Sequence, residues 1–329
     1  MDALSAILNS VKLEGAMFYR AELTAPWGIR TPHTSEFAVL LSKVPRHVIV
    51  YHFLTEGRAQ CQVEGSDSCV ELVPGDIVVF PHGDAHILSK GSPPRFLDYG
   101  QQLKDLFSQG VVRARYGDGG EASLFHCGYL VCDRELSRYF LGGLPQVFRV
   151  NIRNDPAGEW LENSIKFSTS EAGAGRAGSA AVLTRLSEAL FVETLRRYMA
   201  ELPPHHTGWL AGARDPGVGA ALAQMHRAPE QPWTIANLAE QVGLSRSVLA
   251  ERFRHYLGEP PMTYLSRWRL QLGALMLTST SYSVARISGD VGYESEPAFN
   301  RAFKREFGSP PARFRNQAKL AQQEAPVRS

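Results

Sequence analysis

The stretch GDIVVFPHGDAH, residues 75–86, sets an apolar run, a proline, a glycine and a histidine at short, regular offsets. Histidine is the commonest metal ligand and changes charge near neutral pH. His86 could therefore hold a metal for chemistry, or shape one edge of a pocket that senses a molecule. Two further groups raise the same question. The four cysteines, Cys61, Cys69, Cys127 and Cys132, show no CxxC spacing or zinc-finger frame and read as reduced thiols. Arg149 and Arg153 could bind an anion, although an isolated arginine pair more often forms surface ion pairs.

The elements that must position these side chains change character along the chain. To about Asn154 the sequence is a series of short apolar runs, HVIVYHFL, CVELV, DIVVF and SLFHCGYLVC, bounded by Gly, Pro, Asp and Ser. Their β-branched and aromatic content predicts antiparallel strands in a barrel or sandwich. From Ala180 the rhythm becomes helical: AVLTRLSEALFVETLRRYMAEL places Leu183, Leu186, Leu190 and Leu195 on one stripe. Such a stripe is a packing face, and here it could join two subunits. LPPHHTGWLAGARDPG then breaks the period, which puts a domain boundary there, and short helices follow from Val218. GAGRAG at 173–178 matches G-x-G-x-x-G, but no buried strand precedes it and Glu188 and Glu193 fall inside the following helix. A flexible connection is expected rather than a dinucleotide site.

A length of 329 residues suits two domains. No run approaches the ~18 apolar residues of a membrane helix. The segment MDALSAILNSVKLEG lacks the basic region and cleavage site of a secretory signal, so a cytoplasmic location is expected. The net charge of +2 conceals an asymmetry. From Arg214 onward 15 Lys and Arg face 10 Asp and Glu, giving +5, while the first 213 residues hold 20 and 23, giving −3. Positive charge gathered in one domain points toward phosphate contacts.

That domain contains a repeat. IANLAEQVGLSRSVLAERFRHYLGEPP and VARISGDVGYESEPAFNRAFKREFGSPP align with Val242-Gly243 on Val291-Gly292, Leu249 on Phe299, Phe253 on Phe303, Gly258 on Gly308 and Pro261 on Pro311. Each copy reads as a short helix, a glycine turn and a second helix capped by Ser245 or Ser295, the helix-turn-helix plan whose second helix enters the major groove. Phe299, Phe303 and Phe307 recur every four residues and must face the core, leaving Glu296, Asn300, Arg301 and Lys304 outward. Asn and Arg suit bidentate contacts with adenine and guanine edges. Between the copies MTYLSRWRLQLGALML spans 16 residues, roughly 24 Å if helical. It could hold two reading heads on successive groove turns, roughly 34 Å apart.

DVGYESEPAFNRAFKREFGSPPARFR resembles the signature of AraC/XylS-type transcriptional regulators over about Trp233 to Arg315; Ser288 stands where the family usually has alanine. The resemblance maps base reading onto Ser247, Ala250 and Glu251 in the first unit and Glu296, Pro297, Asn300 and Arg301 in the second. Ala250 and Pro297 are poor hydrogen-bonders, so readout is expected to rest on Arg246, Asn300 and Arg301. Arg254, Ser295 and Lys304 complete the expected interface. The N-terminal half resembles the cupin-type sensor of one branch of these regulators, as do GWLAGARDP and PWTIANLA.

Within that resemblance Gly75, Pro81, Gly83 and His86 follow the second cupin motif, whose histidine binds metal, with Lys90 in place of the usual asparagine. The first motif would supply two histidines and a glutamate. Lys43 and Pro45 lie near the histidine slots, and Val50 occupies the glutamate slot. Most of the usual metal shell is missing, which argues against a cupin metalloenzyme. His52 shares the inward face of Val50 in a strand. His52, His86 and Cys127 could therefore make a three-ligand zinc or nickel site or, alternatively, line an apolar pocket with hydrogen-bonded histidines. Cys127 is also the candidate oxidant-sensing thiol, with Cys61, Cys69 or Cys132 as partner.

The expected fold is α+β with two domains: a cupin-like β-barrel with helices, then an all-α double helix-turn-helix domain. Sensor and dimerisation functions fall to 1–210 (helical segment about 180–202, linker about 203–216), DNA binding to 217–316, and a flexible tail to 317–329. The expected function is a sequence-specific regulator, without enzymatic activity, that senses a small molecule, metal or oxidant. The alternatives are a cupin metalloenzyme fused to a DNA-binding domain, or a constitutive DNA-binding dimer with a structural barrel. No cofactor is required; zinc or nickel is the candidate. Expected partners are double-stranded promoter DNA, an effector, a second copy of the chain and RNA polymerase, with no membrane.

Overall fold

The structure is a computed structural model describing residues 2–10, 13–36, 46–93, 96–98, 113–133, 141, 143–153, 155–172, 176–203 and 205–323. The chain divides into two compact units. One holds the described residues of 13–134 and 144–201, the other those of 1–12, 135–143 and 202–329.

The first unit contains the strands. A six-stranded sheet is ordered β11 (Phe148–Asn151), β6 (Asp76–Phe80), β3 (Arg46–Glu56), β10 (Ala122–Asp133), β1 (Leu13–Thr24) and β9 (Arg113–Gly117). A five-stranded sheet is ordered β5 (Cys69–Leu72), β4 (Ala59–Val63), β7 (His86–Lys90), β2 (Trp27–Thr31) and β8 (Leu97–Asp98). Their inner faces share one core, in which Tyr19, Val50, Phe80 and Phe125 meet Trp27, Ile29, Cys61 and Leu88. All four apolar runs become strands. The antiparallel expectation fails at two pairs, since β1–β9 and β2–β8 are parallel. Partners far apart in the chain have connections long enough for a parallel crossover.

β3 reads as almost continuously apolar because both of its faces are buried. Val48, Val50 and Leu54 point into the barrel. Ile49 and Tyr51 point outward, where two helices cover the sheet: α2 (Pro156–Ala172) and α3 (Ser179–Glu201). The α3 periodicity was legible, whereas α2 is masked in the sequence by its polar content: Ser168 and Thr169 are buried beside Leu161 and Ile165 and return their hydroxyls to the helix backbone. A helix, not a strand, therefore precedes GAGRAG, of which residues 173–175 lie outside the described set.

The second unit is helical: α1 (Ala3–Ser10), α4 (Trp209–Arg214), α5 (Pro216–Arg227), α6 (Ile235–Gln241), α7 (Arg246–Leu257), α8 (Pro261–Ser279), α9 (Val284–Asp290), α10 (Glu296–Phe307) and α11 (Pro311–Gln323). It departs from the expected boundaries at three places. α1 packs on α5 and α4 instead of the barrel, burying Ala3, Leu4 and Ile7. The expected linker contains α4, whose Trp209 is buried and donates to the Tyr264 hydroxyl at 2.9 Å. Pro216 occupies the first turn of α5, where its missing N–H costs nothing, rather than breaking the chain. The expected tail from 317 continues α11 to Gln323.

Candidate functional site in the barrel and the DNA-reading helices

β6 ends at Phe80 and the chain reverses through Pro81–Asp84 before β7 begins with His86. Gly83 makes the reversal possible: its φ is +70°, and a Cβ there would lie 2.0 Å from Thr34 Oγ1. The turn aims His86, fully buried, into the barrel, where its ring stacks on Phe80 with centroids 3.6 Å apart. His52 on β3 faces Cys127 directly across the β3–β10 ladder.

These three residues form a hydrogen-bonded row. Cys127 Sγ lies 2.9 Å from His52 Nδ1, His52 Nε2 lies 2.9 Å from His86 Nε2, and His86 Nδ1 lies 2.8 Å from the Asp84 carbonyl. The carbonyl can only accept, so His86 Nδ1 donates and its Nε2 accepts. His52 must then donate from Nε2 and accept at Nδ1, and the Cys127 thiol donates. Every proton in the row is thereby assigned. Burial pulls His86 down to about 4 and His52 well below the usual imidazole range, so both rings are neutral. Burial also pushes the Cys127 thiol up to about 12, with the Tyr19 hydroxyl opposing the shift. A cavity of about 60 Å³ adjoins the row, lined by His52, Cys127, Tyr19, Thr31 and apolar side chains including Ile29, Leu88 and Phe125.

The structure brings His52, His86 and Cys127 together, but in a row rather than around one point. His52 offers one ring edge to His86 and the opposite edge to Cys127, so the three donors do not face one point. No group of three or more His, Cys, Asp or Glu able to hold a metal exists among the described residues. Val50 is buried in the core and Lys90 pairs with Glu121 at 2.8 Å; Lys43 and Pro45 lie outside the described residues. The donor set does not fit the metal that cupin motifs usually hold.

The expected partnership of Cys127 with Cys132 fails. Cys127 and Cys132 are five residues apart on one strand and point to opposite faces. On β4 and β5, Cys61 opposes Val70 while Cys69 opposes Gln62, again placing the two thiols on opposite faces. None of the four cysteines forms a disulfide in the structure. Arg149 and Arg153 are structural: Arg149 reaches the Glu71 carbonyl and Asp76, and Arg153 reaches Glu162 and the Thr55 carbonyl.

Of the leucine stripe, Leu183, Leu190 and Leu195 are buried in the unit that contains them, which corrects their assignment to a subunit interface. A heptad-like stripe satisfies a sheet as readily as a second subunit. Only Leu186 is half-buried, and it opens onto a groove whose walls include the exposed Trp160, Phe167 and Val182.

In the helical unit the two repeats fold alike. Ser245 accepts from the Val248 amide at 3.2 Å and Ser295 from the Ala298 amide at 3.4 Å. Both second helices close on a left-handed glycine, Gly258 and Gly308. Leu249, Phe253, Phe299 and Phe303 are fully buried, and Phe307 packs at a tilt against both Phe303 and Phe314. α8 spans 19 residues, about 28 Å, between the repeats. Arg246, Ser247, Glu251 and Arg254 are exposed on α7, with Ala250 half-buried. Pro297, Arg301 and Lys304 are exposed on α10, with Glu296 and Asn300 half-buried and Ser295 exposed at its cap. Ser288 is buried at the helix crossing, its hydroxyl donating to the Ala285 carbonyl at 2.7 Å. Sequence reasoning missed Arg269, which donates to the Pro229 and Gln231 carbonyls and ties the α5–α6 connection to α8.

Residues 2–200 match the family described as Cupin and residues 238–317 the one described as Helix-turn-helix domain. The chain is 30% identical to an AraC-like transcription regulator of Streptomyces lividans over 96% of its own length and 98% of the relative. It is 27% identical to the HTH-type transcriptional regulator AlkR of Acinetobacter baylyi, covering 97% of the chain and 100% of the relative. It is 28% identical to the RCS-specific HTH-type transcriptional activator RclR of Escherichia coli, covering 97% and 99%. No helix among the described residues is long and apolar enough to cross a membrane.

Proposed function

The chain belongs to the AraC-like transcription regulators with a cupin N-terminal domain, and from that premise we propose that its barrel cavity is the effector site of a DNA-binding switch. The observation that carries the reading is the cavity wall: an apolar pocket of about 60 Å³ in which His52 and Cys127 supply polar recognition and connect to His86. A ligand there needs only to prefer one conformation; coupling of about 1–3 kcal/mol is typical of such switches. The output requires no turnover, so the barrel acts without catalysis, on promoter DNA in the cytoplasm and in concert with RNA polymerase.

Base reading rests on Arg246, Asn300 and Arg301, with Lys304 on phosphate. The protein acts as a homodimer through the α2–α3 groove. Trp160, Phe167 and Val182 form an exposed apolar patch there, and its flanks carry both signs, Lys166 beside Glu162 and Arg185 beside Glu188, which suits a self-complementary contact between two copies.

Sequencing the DNA retained by the full-length protein, then titrating those sites, tests the reading. Arg301→Ala should lose about 1–3 kcal/mol at a specific site and relax one base pair. Lys304→Ala should weaken all sequences alike and flatten the salt dependence. Equal, sequence-independent losses would remove Arg301 from base reading. Phe167→Asp with Val182→Asp should give a folded monomer by sedimentation; an unchanged dimer would place the interface elsewhere.

A further inference from the structure

We propose that Cys127 captures small neutral electrophiles covalently, α,β-unsaturated aldehydes above all, with His52 taking the thiol proton. The inference rests on the reading of the barrel cavity as the effector site. Cys127 and His52 share one wall of that cavity and already share a proton at 2.9 Å. A nucleophile within hydrogen-bond reach of a base, the base in turn oriented by a third group, is the arrangement that activates weak nucleophiles. Here His86 is the positioning residue. By donating to the Asp84 carbonyl and accepting from His52, it fixes the tautomer that turns the His52 lone pair toward sulfur.

The step balances without an outside reagent. Sγ bonds to the β-carbon of the enal as the S–H bond breaks toward His52 Nδ1, and the π electrons move to the carbonyl oxygen as an enolate. The proton then passes from His52 to the α-carbon, leaving a thioether and a saturated aldehyde, with His52 neutral again. The cavity selects for this class. Its Leu23, Ile29, Leu88 and Phe125 walls suit the apolar part of a molecule of few heavy atoms, and Thr31 offers a hydroxyl to its carbonyl. The resting thiol stays protonated, so addition depends on transfer of its proton to His52. Capture has a built-in readout. A thioether cannot donate, so His52 Nδ1 loses its proton donor and the row across β10, β3 and β7 must rearrange.

The test uses full-length protein carrying Cys69→Ser, which removes the exposed thiol, with acrolein as the probe and time-resolved peptide mass spectrometry as the readout. Cys127 should gain one acrolein ahead of the buried Cys61 and Cys132. His52→Gln should slow that gain by about tenfold or more, as expected for loss of a general base. His86→Ala should also slow it, and His86→Gln, whose amide oxygen accepts the same proton, should restore part of the rate. Melting curves of each variant identify those that fold. In a folded His52→Gln protein, an unchanged Cys127 rate overturns the proposal, as does labelling no faster than at Cys61. Stoichiometric zinc or nickel that is lost on Cys127→Ser also overturns it. If 1-propanol raises the melting temperature while Cys127 resists acrolein, the effector cavity stands and covalent capture falls. If neither compound acts on the folded protein, both readings fall.

Discussion

The barrel and the helical unit each bury a neutral histidine centre, and the two are easily mistaken for one another. His226 hydrogen-bonds the Tyr264 hydroxyl at 2.8 Å and lies among the rings of Trp209, Tyr264 and Trp268. Burial pulls it down to about 3, further than the value of about 4 for His86. By shifted titration alone His226 would rank beside His52 and His86 as a candidate site. What separates His52 and His86 is adjacent space and a thiol in the same row. A perturbed histidine marks desolvation; a site also needs room for a reactant and a second group to meet it.

Acid should separate the two centres most strongly. His52, His86 and His126 of the barrel and His226 of the helical unit all have lowered values in the folded state. Unfolded, each would take up a proton near pH 6.5. The stability they contribute is therefore present above about pH 6.5 and lost as pH falls, toward about 4 for His86 and His126 and about 3 for His226. Each proton is worth about 1.4 kcal/mol per pH unit in that window. Hydrogen exchange read separately over barrel and helical peptides from pH 7 to about 4.5 should show the steeper loss in the barrel. Equal slopes would break the comparison.

Truncation should come next. His226→Ala opens a cavity among packed rings and should cost about 2–4 kcal/mol in urea unfolding, taking DNA affinity with it. His52→Ala leaves Cys127 and His86 short of partners, at a cost of about 1–3 kcal/mol. It should change the effector response while leaving DNA-binding residues intact. Loss of DNA binding by a folded His52→Ala protein would blur the two centres again. The smallest contrast is between glycines of similar φ. Gly308→Ala, at +73° with open space around it, should cost about 1 kcal/mol. Gly83→Ala should cost about 2–3 kcal/mol by thermal melting, because it adds a clash with Thr34 to the same backbone strain.

The helical unit was the more legible half because its chemistry is local and written twice. Ser245 and Ser295 cap, Gly258 and Gly308 terminate, and Phe299 and Phe303 point inward, all within a few residues of one another. In the barrel the strands were legible, and so was the inward face shared by Val50 and His52. The direction of the donors was not. Whether His52, His86 and Cys127 converge on one point or line up in a row depends on ring orientations set by β10 and the Gly83 turn, which strand spacing does not encode. The leucine stripe failed for a related reason: periodicity reports that one face of α3 is covered, not by what.

The seating of α1 on α4 and α5 has a consequence for synthesis. Ala3, Leu4 and Ile7 are synthesised ahead of the surface that buries them, which lies about 200 residues later. At cellular elongation rates that interval is about 10–40 s. The barrel has all its strands long before then, whereas the helical unit must wait for its own beginning and its far end to meet. The helical unit is therefore completed after the barrel, and until then a nascent chain offers a bare apolar helix to chaperones.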